Sequence, residues 1–350
     1  YARYWGTNGI IIDSNGLNYQ GDDDSFDVEY GTDGQALHIV YSGATKGWIP
    51  ILDKDVSDAP VKGNQNGIFG FGQDSSAQSM TNLVSNAGVV ATDVTGVGTV
   101  RLGLAATQYG GDKGIFAYGR QGGGGSYLSM SNLVSNAGVV ASDVTGVGTS
   151  RGYIAACSYG DDKGIFGYGS TGSKVSLTNL VSNVGVIASD VTGVGTARDS
   201  LAACEYGTGL AIFGFGNPAG ARTAITNLVS NVGVVATDTT GVGTGRDLPA
   251  ACGYGYDKGI FGYGYSGGDV SMSNLVSNVG VVATDVTGVG TVKSALAATQ
   301  YGGDKGIFGY GISGATRQNI TNLVSTSGVI ATDTTGVGTI RDNLAACSYN

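Results

Sequence analysis

A repeat of about 47 residues occupies most of this 350-residue chain. The tetrapeptide Asn-Leu-Val-Ser occurs six times, starting at Asn82, Asn132, Asn179, Asn227, Asn274 and Asn322, and Thr-Gly-Val-Gly-Thr also occurs six times. An Ile-Phe pair recurs at spacings of 47, 50, 47, 48 and 47 residues. A unit of this length is one supersecondary structure that cannot bury its apolar faces alone, so the copies must pack against one another.

Each unit contains four short segments typical of β-strands. In one unit these are residues 153–159, 165–169, 177–182 and 186–189, separated by Gly, Asn and Asp turns. The 64 glycines and the many Val, Thr and Tyr residues disfavour long helices. Several of the segments are apolar on both sides, which is typical of sheets stacked radially against their neighbours. We therefore predict an all-β fold, a β-propeller with four-stranded blades.

The phase of the repeat predicts a closed ring. The first copy begins at Gly67 without the strand that precedes this element in the other copies. Residues 341–349 are that missing strand, with no unit after them. An open stack of repeats would have no use for such a split and would carry atypical terminal copies. We predict six blades, the first of which is closed by the C-terminal strand.

The repeat resembles the kelch-type propeller. A copy starts with Arg and a small-residue strand, as in Arg341 to Tyr349, and continues with an aromatic-Gly-x-Gly strand, as in Phe308-Gly309-Tyr310-Gly311. The resemblance covers about 280 residues and implies a six-bladed kelch-like fold. The chain departs from that pattern because its two tryptophans, Trp5 and Trp48, lie outside the repeats.

The near-identical copies of Gly-Val-Val-Ala-Thr-Asp-Val-Thr-Gly-Val-Gly-Thr are similar to Gly-rich repeat proteins of bacteriophages of aquatic bacteria. Residues 36–48 are similar to short β segments of phage fibre proteins. These resemblances imply a virion location and a structural or receptor-binding role, as a tail fibre or decoration protein. The alternative is a bacterial extracellular surface or filament protein.

Charge divides the chain into two parts. Residues 1–60 contain ten acids and three bases and carry −7 of the total charge of −9. We predict a small acidic β segment at 1–60, which binds other virion or filament subunits in a homo-oligomer, and the propeller at 61–350. The acidic balance excludes nucleic acid as a partner, and no apolar run is long enough for membrane insertion. We expect the chain to be processed or part of a longer polypeptide, because it starts without Met and without a signal-peptide pattern.

One segment of each repeat varies, whereas the strands hardly change. It follows the second strand and comprises residues 73–78, 120–128, 170–175, 217–224, 265–270 and 312–319. Variable loops on a rigid scaffold are the usual layout of a recognition surface, although unselected drift at exposed turns gives the same pattern. The candidate ligand-binding residues, for a host glycan or protein, are Arg120, Tyr127, Lys174, Arg222, Tyr265, Asp269 and Arg317.

Six acidic residues each stand eight positions before a base. The pairs are Asp93 and Arg101, Asp143 and Arg151, Asp190 and Arg198, Asp238 and Arg246, Asp285 and Lys293, and Asp333 and Arg341. We interpret them as structural elements, either Asx turns or repeated ion pairs within the ring. A sixfold charged ring that grips a ligand near the axis is the alternative.

No residue pattern in the repeats indicates catalysis. The single His38 lies in the N-terminal segment, which excludes His-based triads and kelch-type copper chemistry from the propeller. Asp22-Asp23-Asp24 lacks the alternating ligands of a calcium loop. The four cysteines share one repeat position, so we expect buried thiols and no disulfide. We therefore predict no enzyme activity, no cofactor and no metal, and disfavour a glycan-active propeller enzyme.

Overall fold

The computed structural model describes residues 10–22, 28–30, 37–50, 63–122 and 124–350. The described residues form β-strands, turns and irregular segments, which confirms the all-β prediction. They include no helix long and apolar enough to cross a membrane. The chain divides into two compact units, Tyr1–Lys62 and Gly63–Asn350. The division lies two residues after the boundary that we placed at the change in charge.

The described part of the first unit consists of two short antiparallel pairs. Strand β1 (Ile10–Ile12) pairs with β2 (Val28–Tyr30), and β3 (Ile39–Tyr41) pairs with β4 (Trp48–Pro50). Tyr19 and Tyr30 are buried, and their hydroxyl groups lie 2.6 Å apart. Asp23 and Asp24 of the acidic run lie outside the described residues.

The second unit contains six three-stranded antiparallel sheets among its described residues. The strands are β5 (Asn66–Gly70), β6 (Thr81–Val84), β7 (Ala105–Tyr109), β8 (Lys113–Ala117), β9 (Ser131–Val134), β10 (Ala155–Tyr159), β11 (Lys163–Gly167), β12 (Thr178–Val181), β13 (Ala202–Tyr206), β14 (Leu210–Gly214), β15 (Thr226–Val229), β16 (Ala250–Tyr254), β17 (Lys258–Tyr265), β18 (Asp269–Val276), β19 (Ala297–Tyr301), β20 (Lys305–Gly309), β21 (Ile312–Ser313), β22 (Thr316–Arg317), β23 (Thr321–Val324) and β24 (Ala345–Tyr349). The sheets are β24-β5-β6, β7-β8-β9, β10-β11-β12, β13-β14-β15, β16-β17-β18 and β19-β20-β23, and β21 pairs with β22.

The prediction of four regular strands in each sheet was wrong. The fourth segment forms two isolated bridges with the third strand, as between Thr178 and Val191 and between Val181 and Ile187, and the backbone N–H of Ala188 donates to the carbonyl of Leu180 at 2.8 Å. The side chain of Asn179 interrupts the ladder between them, because its Nδ2 donates to the carbonyl of Ala188 at 3.0 Å. A side-chain amide thus takes the place of a backbone donor at this carbonyl.

The C-terminal strand is part of the first sheet. Strand β24 pairs with β5 over five residues, from Ala345 opposite Gly70 to Tyr349 opposite Asn66. The first strands of successive sheets contact one another in the order β7, β10, β13, β16, β19 and β24, and β24 also contacts β7. Strand pairing therefore joins the incomplete first copy and the extra C-terminal strand in one sheet.

The core lies between neighbouring sheets. The Ile and Phe of each second strand are fully buried, and the Phe ring packs against the second strand of the preceding sheet. A Cβ atom on Gly167 would lie 2.7 Å from Cζ of Phe213. Glycine at this position lets two sheets approach closely, which is one physical reason for the high glycine content.

Candidate functional site

The six repeated bases are fully buried between neighbouring sheets. Arg151 is representative: its Nε donates to the carbonyl of Tyr168 at 2.9 Å, and its Nη2 donates to Asn179 at 2.6 Å. Its guanidinium lies 4.4 Å from the ring centroid of Tyr118 on the preceding sheet. Burial lowers the pKa of Arg151, although nearby Tyr118 and Asp190 partly oppose this shift.

Each repeated base faces the Asp of the following repeat, not the Asp eight residues before it. Three pairs have N–O distances of 3.6 to 3.9 Å, namely Arg101–Asp143, Arg151–Asp190 and Arg246–Asp285. The electrostatic partners in the other three are Arg198 with Asp238, Lys293 with Asp333, and Arg341 with Asp93. Each base precedes the first strand of a sheet and its Asp follows the third strand of the same sheet, so each pair lies within one sheet.

Hydrogen bonds hold the carboxylate of Asp190 in this position. It accepts from the backbone N–H of Thr149 at 2.9 Å, the hydroxyl of Thr149 at 2.6 Å and Nδ2 of Asn179 at 2.9 Å. Partial burial opposes ionisation, but these hydrogen bonds outweigh it and the pKa of Asp190 lies below its ordinary value. Because the repeated bases are buried between neighbouring sheets, they present no exposed guanidinium to a ligand.

The variable loops lie at one end of the sheets, which we call the loop end. Three of the candidate ligand-binding bases there form ion pairs with an acid at the start of the next sheet. Lys174 pairs with Asp199, Arg222 with Asp247 at 3.0 Å and Arg317 with Asp342 at 3.0 Å. Each of these three basic loop residues is therefore matched by an acid in the next repeat, and the charges form ion pairs within the chain.

The other candidates also contact their neighbours. The Nε of Arg120 donates to the carbonyl of Gly125 at 3.0 Å, and the Tyr127 hydroxyl donates to Ser170 at 3.3 Å. The Tyr265 ring lies 4.4 Å from the guanidinium of Arg222. A carboxylate oxygen of Asp269 accepts from the backbone N–H of Gly314 at 2.7 Å. The seven residues share the loop end but form pairs between adjacent sheets, not one cluster.

A ring of six residues at the loop end was missed by the sequence analysis. Gly103, Tyr153, Ser200, Leu248, Ala295 and Asn343 precede the first strands and have φ between 51° and 61°. The backbone N–H of each donates to the carbonyl of the preceding member, and Gly103 donates to Asn343, at distances of 2.6 to 3.0 Å. The hydrogen bonds form a closed cycle, and we call these residues the mouth ring.

The mouth ring combines backbone strain with sequence variation. Five of its members are not glycine, and an L-residue in the left-handed region costs about 1–2 kcal/mol. All six side chains differ, whereas the base two positions earlier and the Ala-Ala that follows are almost constant. Strained residues cluster at functional sites, where surrounding structure enforces them. A variable residue two positions after a nearly constant base was therefore the sequence feature that could have indicated this ring.

A cavity of about 70 Å³ lies beneath the mouth ring. Its floor is a layer of apolar side chains from the first strands, and its rim carries the mouth-ring side chains of Tyr153, Ser200, Leu248 and Asn343. The floor residues are Leu104, Ile154, Leu201, Pro249, Leu296 and Leu344. An apolar floor with a few polar groups at the edge is the usual composition of a ligand site.

A second cavity of about 60 Å³ lies farther along the first strands, and Glu205 lines it. The carboxylate of Glu205 accepts from Gln108 Nε2 at 3.0 Å and from the Ser158 hydroxyl. Burial raises the pKa of Glu205, partly offset by these hydrogen bonds. Asn64 donates to Gln108 at 2.6 Å and covers this layer. The carboxylate is thus occupied by side chains of the chain itself.

The described residues contain no group of three or more His, Cys, Asp or Glu arranged to hold a metal ion. Cys157, Cys204, Cys252 and Cys347 are buried free thiols. Burial raises the pKa of Cys157, which disfavours the reactive thiolate. His38 is exposed in the first unit.

No protein-family model matches the chain. No curated protein matches it either.

Proposed function

We propose that residues 63–350 form a closed six-bladed β-propeller of the kelch-like type. The boundary between the last and first sheets has the same contacts as the others, which supports closure. Asp93 accepts from the Thr339 hydroxyl at 2.7 Å, and the guanidinium of Arg341 lies 4.8 Å from the Tyr310 ring centroid. The cycle of hydrogen bonds through the mouth ring supports the same arrangement.

On this scaffold we propose a non-enzymatic binding module that acts through the loop end. The observation that carries the proposal is the mouth ring, where five different side chains occupy strained positions over a cavity. A purely structural ring would accept glycine at each position at no steric cost, as at Gly103. The retained side chains are therefore explained by contact with a ligand.

A neutral sugar on a host-cell glycan is the ligand class that fits best. The ring of Tyr153 and the apolar floor suit the nonpolar face of a sugar, and Ser200 and Asn343 suit its hydroxyl groups. Three of the basic loop side chains are already paired with acids, which disfavours an anionic ligand. Together with the resemblance to phage fibre proteins, this supports a receptor-binding virion protein. A bacterial extracellular filament protein is the alternative.

Replacing Tyr153 by Gly tests the binding role. Glycine adopts the φ of 54° without strain, so we expect the melting temperature to fall little or to rise. Binding to a glycan array should fall at least about tenfold, because the aromatic contact is lost. Lys113→Ala at the opposite end of the sheets is the control and should bind normally. Unchanged array binding by Tyr153→Gly, or no binding by the unaltered chain, would contradict the proposal.

The variable loops are tested separately. Residues 120–128 and 265–270 are exchanged for Gly-Ser sequences of the same length, and attachment to the array is measured. We expect weaker binding with a changed sugar preference, because these loops lie at the same end as the mouth ring. Unchanged binding after both exchanges, with the fold intact, would limit the site to the mouth ring.

A further inference from the structure

Valine side chains protrude from the turns after the third strands in three consecutive sheets. Val184, Val232 and Val279 are 70%, 68% and 70% exposed. The turns are held rigidly: the backbone N–H of Gly185 donates to the carbonyl of Ser182 at 2.9 Å, and that of Val186 donates to the Ser182 hydroxyl at 3.1 Å. The other three sheets carry Ala87, Ala137 and Ser327 at this position. We call Val184, Val232 and Val279 the protruding valines.

An apolar groove of about 180 Å³ lies between the β16-β17-β18 and β19-β20-β23 sheets. Its apolar lining comprises Leu275, Val286, Val289, Val329 and Ile330, and its polar lining is uncharged. Val329, at the edge, is 64% exposed. The small Ser327, which also lines the groove, takes the place of a protruding valine in this sheet.

The groove and the protruding valines match in size and charge. An apolar cavity of about 150 Å³ holds a benzene molecule, so the groove has room for one valine side chain. The groove lining carries no charged side chain. The acids beside Val184 and Val279 are Asp162 and Asp257, and each forms an ion pair with the adjacent lysine at 2.6 Å. Two copies of an acidic chain can therefore meet here without local repulsion.

We propose that this chain self-associates head to tail, with a protruding valine of one copy inserted into the groove of a second copy. The two surfaces are different parts of the molecule, so the contact is heterologous: the copy that inserts a valine retains a free groove, and the copy that accepts it retains a free valine surface. Such contacts generate rings or filaments. This association does not depend on the loop end and is separate from glycan binding.

Two variants test the two surfaces of the proposed contact one at a time. The triple variant Val184→Ser, Val232→Ser, Val279→Ser removes the protruding side chains, and Val329→Asp places a charge at the groove. We expect the mass of the unaltered chain to rise with concentration in sedimentation velocity. Each variant alone should associate at least about tenfold more weakly, because apolar burial is lost or a charge is desolvated. An equimolar mixture should stop at the dimer, since only one intact contact remains.

Val89→Asp is the matched control for the groove. Val89 occupies the equivalent turn of the first sheet and is 65% exposed, but it does not line the groove. Val89→Ser with Val139→Ser controls for the loss of exposed valines. Both controls should associate like the unaltered chain, with melting temperatures similar to those of the variants. A monomeric unaltered chain, or association equally strong in variants and controls, would overturn the proposal.

Discussion

At the scale of single residues, one substitution breaks an otherwise regular set of contacts. Lys293 occupies the position of the buried arginines and donates to Asn322 at 2.8 Å. Arg151 and Arg198 make additional bonds, through Nε to a second-strand carbonyl and through Nη1 to a threonine carbonyl. A primary ammonium cannot reproduce this planar, forked set of donors. Lys293 also donates to the carbonyl of Ile320 at 3.4 Å, so it makes two hydrogen bonds where Arg151 and Arg198 each make three.

We expect Lys293→Arg to stabilise the chain by about 1 kcal/mol at pH 7, because it restores buried hydrogen bonds. Burial lowers the pKa of Lys293 to about 8, while the unfolded value is 10.5. Between these values the unfolded chain holds more protons, so the contribution of Lys293 to stability rises as the pH increases. Denaturant unfolding of both proteins at pH 7 and 9 measures this. A gain that is larger at pH 9 than at pH 7 would refute the charge-burial explanation.

At the scale of the sheet, one asparagine connects the third strand to the outer segment and to the buried base. Asn179 is fully buried and donates to the carbonyl of Ala188 and to Asp190, while its oxygen accepts from Arg151. The same position is asparagine in all six copies. The interruption of the fourth strand and the position of the buried charge pair thus both involve one side chain.

Asn179→Ala should cost about 3 kcal/mol, because it leaves the buried Nη2 of Arg151 and the carbonyl of Ala188 without the partners that Asn179 supplies. Asn183→Ala is the control in the following turn, where the exposed amide donates to Asp162 at 3.0 Å. The control should change stability by less than about 0.5 kcal/mol. Urea unfolding measures both values. Equal effects of the two substitutions would show that the buried network is not the source of the stability.

At the scale of the whole second unit, the chain termini of the repeat region meet in one sheet. Strand β24 supplies Cys347 and Tyr349 to the cluster that contains Ile68 and Phe116. It therefore brings the C-terminal strand into contact with the first two sheets of the unit. Removing it exposes apolar surface on two sides at once.

Deleting residues 341–350 should strongly destabilise the second unit. The deletion removes the partner of β5, the guanidinium of Arg341 between two sheets and one member of the mouth ring. We expect loss of cooperative thermal unfolding, followed by circular dichroism. Deletion of Asn350 alone, which is exposed and follows the last strand, is the control. A deletion variant that melts like the control would argue against closure by the C-terminal strand.

Much of the architecture was predictable because it depends on local, repeated patterns. The spacing of Asn-Leu-Val-Ser and Ile-Phe indicated the number of units, and Gly and Asn turns indicated short strands. The missing first strand at Gly67 and the extra strand before Tyr349 indicated which segments pair. These features are properties of single units, so they are visible without a tertiary structure.

Tertiary structure alone decided the contacts between units. The carboxylate partner of Arg151 is Asp190 of the next repeat, 39 positions later, while Asp143, eight positions before, contacts another sheet. The loop bases face acids of the following sheet, and the mouth ring joins residues about one repeat apart. Side-chain propensity describes neighbours along the chain, whereas these pairs are set by the packing of one sheet against the next. The same packing imposes the left-handed backbone at Tyr153 and Leu248, which their own preferences oppose.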